Sequence, residues 1–238
     1  MSSFTINDTI NILLIILKTA YKKKYIQTIP EIKKVVLPGN KRGCLTSDEV
    51  KAIFSLEWEN HIAYVGNLIA ASTGLREGEI VAIQYKSVFP NYIHVVQSWN
   101  LKTHTLKAPK NGKGRVVPLA SRVYEEIMRL KNSAIWQGEE AFVFQSEKPD
   151  KPMNPELLRD ELYKMFDKIG IDETERVNRQ LCFHSWRHFL NSLLLNGNIN
   201  KFKVQSLIGH QSDEMSLNYY HSDDYADVLK LQDSLFRQ

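Results

Sequence analysis

Apolar residues recur at helical spacing along most of the chain, with one interval of strand-like alternation in the middle. Residues 6–24 place Ile10, Leu13, Leu14 and Leu17 on one face, which predicts an amphipathic helix. A connector marked by Pro30, Pro38, Gly39 and Gly43 follows. Thr46-Ser-Asp-Glu49 has the spacing of a capping box and should open a helix running to about Phe54. Further helices are expected over 58–72, ending at Gly74, and over 77–84. Between 92 and 119 the period changes: 92–99 and 115–118 are β-branched and aromatic, and Asn111-Gly112 is a hairpin turn signal. These segments predict a small antiparallel sheet of two or three strands. Helical periodicity then returns over 123–135, 155–169, 185–196, 200–208, 213–220 and 224–236, the last with Val228, Leu231 and Leu235 on one face. The fold class expected is mainly α with a small antiparallel β-sheet (α+β). A boundary near residue 44 separates 1–44 from 45–238.

Composition and charge sharpen this picture. The chain has 238 residues, room for one large domain or for one domain plus a fragment of another, and its 43% hydrophobic content is enough for a real core. Its two cysteines, Cys44 and Cys182, match no metal or disulfide framework, and a reducing cytoplasm is the natural setting. The apolar run at 10–17 is too short to span a bilayer, so no membrane role is expected. The net charge is only +4, but it is unevenly placed. Residues 1–44 carry eight bases and two acids, and residues 80–124 carry seven bases and no acid. Two basic segments in an otherwise acidic body point to a polyanion-binding face.

Several segments could carry chemistry, and each also has an ordinary structural reading. In Thr73-Gly-Leu-Arg76-Glu-Gly-Glu79 the glycine ends one helix and Arg76 edges the next, where its fork adds to a dipole that favours anions. The same spacing suits a surface ion pair with Glu79. Lys110-Asn-Gly-Lys113-Gly-Arg115 is a basic hairpin tip, fit either to enter a nucleic-acid groove or to sit in solvent. His184 and Arg187 fall in the first turn of a helix, where backbone N–H groups favour phosphate. His188 completes an i,i+4 pair of zinc-like spacing, but no acid or cysteine cluster accompanies it. Gly209-His210 follows another helix, and Tyr219 lies nine residues beyond that histidine. A tyrosine so placed is either core or nucleophile.

Taken together and in order, these segments resemble the catalytic domain of the tyrosine recombinases, the phage integrase family. Thr73-Gly-Leu-Arg76-x-x-Glu79 resembles the first arginine box. Lys110-x-x-Lys113-x-Arg115-x-x-Pro118 resembles the hairpin that supplies a lysine. His184-x-x-Arg187-His188, Leu207-Ile-Gly-His210 and Tyr219-x-His221 resemble the remaining three boxes. Trp186 stands where leucine is usual, and Tyr220 adjoins Tyr219, although the interval from His210 and the tyrosine-x-histidine pattern favour Tyr219. The likeness covers about residues 45–238, and residues 6–38 look like the last helix and linker of the helical clamping domain that usually precedes.

The resemblance implies a site-specific recombinase acting on double-stranded DNA, without cofactor or metal. Arg76, Arg187 and His210 would hold the scissile phosphate. Tyr219 would attack it to form a 3′-phosphotyrosyl link, His184 would accept the phenol proton, and Lys110 would protonate the departing 5′-oxygen. Lys102, Lys107, Lys113 and Arg115 would contact DNA. A homo-oligomer, a tetramer on DNA, is implied, with the last helix packed either on a neighbouring protomer or on its own domain. A type IB topoisomerase uses a similar constellation, and a DNA-binding module with impaired catalysis is the reading from another class.

Overall fold

The computed structural model describes residues 3–36, 43–108, 114–209 and 225–236. The chain divides into two compact units, Met1–Arg42 and Gly43–Gln238. In the first, α1 (Ser3–Lys22) is followed by an extended segment. The Asn7 side chain ties that segment down, donating to the Val35 carbonyl and accepting from the Val35 N–H, each at 2.9 Å. Ile12, Ile15 and Ile16 remain exposed on α1. Among the described residues no helix is long and apolar enough to cross a membrane.

The second unit is built around α3 (His61–Thr73), which is buried along most of its length. It begins later than expected because the Asn60 side chain accepts from the Ala63 N–H and caps it there. Before it, α2 (Ser47–Ser55) forms with both bonds of the Thr46–Glu49 capping box in place. Helices α5 (Ser121–Asn132), α6 (Glu156–Lys168) and α8 (Ser185–Asn196) surround α3. The fully buried Asn67 knits three of these helices together. Its amide donates to the Ala63 and Leu158 carbonyls, and its oxygen accepts from the Trp186 indole at 2.8 Å.

The middle of the chain departs from the expected pattern. Helix α4 (Glu77–Val81) stops short of 84 because its continuation pairs elsewhere. The Tyr85 N–H donates to the Ala141 carbonyl, and the Ile83 carbonyl accepts from Val143. A 3₁₀ turn at Tyr85–Ser87 then leads to β1 (Val88–Phe89). Strands β1, β2 (Tyr92–Val95) and β5 (Arg115–Pro118) form an antiparallel sheet in the order β1-β2-β5. The single strand expected over 92–99 is two: it breaks after Val95, and β3 (Ser98–Asn100) pairs with β4 (Thr105–Lys107) in a separate hairpin. Gln97 marks the break, its side chain donating to the Ala82 carbonyl at 2.9 Å. Strand β4 is exposed throughout, so it left no apolar alternation to read.

In the remainder, α7 (Glu173–Asn178) was not foreseen; it buries no residue and shows no apolar stripe. Helices α9 (Lys201–Ile208) and α10 (Ala226–Phe236) lie close to their expected spans. Helix α10 packs on its own unit, against α2 and α5. Val228 is buried there, and the Gln232 amide donates to the Ser72 carbonyl at 2.6 Å. The Asn111-Gly112 turn and the helix expected over 213–220 lie outside the described residues.

Candidate active site

The site is organised by one buried carboxylate. Glu79, on the first turn of α4, receives the Arg76 N–H on Oε2 at 2.9 Å and the Arg76 guanidinium on Oε1 at 3.3 Å. Arg115, at the start of β5, closes a bidentate fork on the same group, Nη1 to Oε1 at 3.0 Å and Nη2 to Oε2 at 2.9 Å. Burial pushes the Glu79 carboxyl up. The Arg115 fork, then the Arg76 N–H and charge, more than offset this and hold it below the usual carboxylate range. The carboxylate is therefore ionised at neutral pH.

Arg187 completes the group from α8. It is 3% exposed, and its Nη1 donates to the Gly74 carbonyl at 3.0 Å. Gly74 caps α3 in the left-handed region, φ 65°, and a side chain there would press on Leu190 of α8. That close approach brings the arginine of one helix against the loop that carries the other. Burial, then the nearby Arg76 charge, push the Arg187 guanidinium down to about 10, which still leaves it cationic at neutral pH. Its Nη2 is buried and has no hydrogen-bond partner among the described residues. Arg76 and Arg115 thus share the Glu79 carboxylate, while Arg187 feels its charge without bonding to it. Three guanidinium charges stand near one carboxylate, an arrangement with a net demand for an anion.

Arg76 is the exposed member: its side chain is 49% accessible, against 9% for Glu79. His184 is the N-cap residue of α8, and its ring meets that of His188 edge to face at 5.0 Å. Among the described residues no group of three or more histidine, cysteine or acidic side chains could hold a metal ion. The structure therefore brings Arg76, Arg115 and Arg187 together, with His184 one turn from Arg187 on α8. Lys110, Lys113, His210 and Tyr219 lie outside the described residues.

Other basic residues have distinct settings. Lys102 and Lys107 are exposed on the β3–β4 hairpin. The base of that hairpin lies directly on α4: a Cβ on Gly78 would stand 2.5 Å from the Trp99 carbonyl oxygen. Gly78 and the Asn67–Trp186 bond are features the sequence analysis passed over. The first had a weak signal, a lone glycine inside a helical pattern, which costs stability relative to alanine and so invites a packing reason. The second had none, since a buried asparagine looks like any polar residue until its partner is known.

The phage integrase family profile matches residues 44–225. A probable integrase/recombinase protein of Methanocaldococcus jannaschii is 26% identical over 166 residues, which is 69% of this chain and 47% of that protein. Transposase B of transposon Tn554 from Staphylococcus aureus is 25% identical over 130 residues, 54% of this chain and 20% of that protein. The chain thus spans about half, or less, of the length of these curated relatives. Among solved structures, the Tn1549 transposon integrase in complex with a circular intermediate DNA superposes with a TM-score of 0.73 at 20% identity, covering 99% of this chain and 80% of that one. The integrase from mycobacterium phage Brujita gives 0.62 at 16% identity, covering 100% and 74%. The profile match runs across α2–α9 and takes in Arg76, Glu79, Arg115 and Arg187, so the chain belongs to the phage integrase family.

Proposed function

We propose that this chain is a site-specific recombinase that cuts and rejoins duplex DNA through a 3′-phosphotyrosyl intermediate on Tyr219. The observation that carries this reading is the buried Arg187, whose Nη2 has no hydrogen-bond partner among the described residues, close to the charges of Arg76 and Glu79. A phosphodiester in its transition state spreads negative charge over its non-bridging oxygens. Fixed guanidinium donors stabilise that charge without having to reorganise, and the loss of one such donor typically costs ~10²–10³ in rate.

In this reading Arg76 and Arg187 grip the non-bridging oxygens and His210 adds a further donor. A free tyrosine has a pKa near ~10 and needs help to attack. His184 takes the phenol proton as the Tyr219 oxygen bonds to phosphorus, and the 5′-oxygen leaves with a proton from Lys110. Attack by another strand's 5′-hydroxyl on the phosphotyrosine reverses these steps and reseals the backbone. The covalent link conserves the bond energy, so no nucleotide hydrolysis is required. Lys102, Lys107 and Lys113 serve the DNA backbone. Residues 1–44, with eight bases and two acids, act as the last helix and linker of a DNA-clamping domain, and a tetramer assembles on DNA. The relatives named as integrases and recombinases, one of them solved with DNA, support this reading.

The test is covalent capture. The full chain is incubated with a randomised-sequence library of nicked duplexes, and protein–DNA adducts that survive detergent are sequenced. Tyr219→Phe should abolish capture and Tyr220→Phe should not. Absence of any adduct from the unaltered chain would leave a DNA-binding module. Relaxation of supercoiled plasmid without joined partners would instead mark a type IB topoisomerase.

A further inference from the structure

We propose that Arg115 is a positioning residue that keeps Arg76 available for phosphate, and that it is not itself a DNA contact. The inference rests on the recombinase reading for its chemical step, but its geometry stands on the structure alone. Three of the five guanidinium N–H groups of Arg115 are spent inside the protein. Two form the fork on Glu79, at 3.0 and 2.9 Å, and Nε donates to the Leu207 carbonyl at 3.3 Å. The side chain is 21% exposed, against 49% for Arg76.

The placement links three segments that are far apart in sequence. Arg115 begins β5, Glu79 belongs to the Arg76 turn, and Leu207 lies in the last turn of α9. Gly209 caps α9 with φ 70°, and a Cβ there would stand 3.2 Å from the Arg115 guanidinium carbon. The guanidinium therefore lies against the residue just before His210. One planar group sets the spacing between the arginine turn and the end of α9.

The chemical consequence follows from competition for one carboxylate. Arg115 holds both oxygens of Glu79 at short, paired distances, and the Arg76 guanidinium is left with a single contact at 3.3 Å. Bidentate pairing is the stronger geometry. Without the Arg115 fork, Glu79 is free to pair bidentately with Arg76 and neutralise the exposed donor that should grip phosphate. Arg115 thus works through Glu79 on Arg76.

Arg115→Lys separates the two roles. It keeps a cation suited to phosphate but loses the planar fork. Two quantities are measured on the full chain: affinity for a mixed-sequence duplex across a salt series, and the rate of covalent capture from the nicked library. The expected result is unchanged affinity and salt slope, with capture slowed at least ~10-fold and by no more than the ~10²–10³ that outright loss of one such donor costs. Adding Glu79→Gln to Arg115→Lys removes the competing charge and should recover several-fold of the lost rate, which a merely structural defect would not do. Arg115→Gln, which also removes the cation, should likewise leave the salt slope unchanged; weakened binding with a slope reduced by about 1 in that variant would make Arg115 a phosphate contact and overturn the proposal. Unchanged binding with unchanged capture would overturn it too. If the unaltered chain captures no DNA, the recombinase reading falls. Retained affinity and slope in Arg115→Gln would then still uphold a non-contacting Arg115, and their loss would still overturn it.

Discussion

Glu79 shows how much of this site depends on single atoms. Its two oxygens take four donors from Arg76 and Arg115, and those donors hold its carboxyl below the usual range despite burial. A depressed folded-state value contributes stability that is fully present above the ordinary glutamate pKa of ~4.3 and is lost as pH falls through the folded value. Melting temperature followed through the acid range should therefore fall less steeply in Glu79→Gln than in the parent. Equal slopes would mean the carboxylate is not held as described. Trp186 gives a second case. Its indole donates to Asn67 at 2.8 Å where both residues are buried, so Trp186→Phe leaves the Asn67 oxygen unsatisfied. A loss of ~1–3 kcal/mol in urea unfolding is expected. Both side chains were visible in the sequence; their partners, 36 and 119 positions away, were not.

At the scale of elements, the helices were largely legible because each shows an apolar face and a start or stop signal. The Thr46–Glu49 box and Gly74 mark ends that the structure keeps. The failures have physical causes. Helix α4 ends early because residues 83–85 pair with 141–143, a long-range choice that local propensity does not encode. The strand expected over 92–99 breaks because Gln97 turns to the Ala82 carbonyl. The β3–β4 hairpin stands on α4 through the missing side chain of Gly78. Gly78→Ala should therefore push the Trp99 backbone off α4 and cost ~1–3 kcal/mol, as overpacking does. A chemical denaturation midpoint equal to the parent's would show that the hairpin base yields without cost.

For the molecule as a whole, α10 belongs to the same compact unit as the arginine cluster. Val228 and Gln232 are buried in it, and a Cβ on Gly197 would meet Leu231 at 2.5 Å. A chain ending at residue 225 should lose ~5 °C or more in its calorimetric midpoint, given the apolar burial removed and a domain of this size. Unchanged melting with lost self-association would instead assign the helix to a neighbour. The uneven charge acts at this scale too: the acid-free segment 80–124 supplies both the site arginine and the exposed hairpin lysines.

The sequence by itself determined the helical periodicities, the order of the motif boxes, the basic segments and so the family expectation, because all of these are local patterns along one chain. Tertiary structure alone decided that Arg115 faces Glu79, that Arg187 is buried with an Nη2 unpartnered among the described residues, and that the last helix lies against α2 and α5. Those outcomes depend on which distant groups meet in a common low-dielectric volume, where a carboxylate must choose among competing donors.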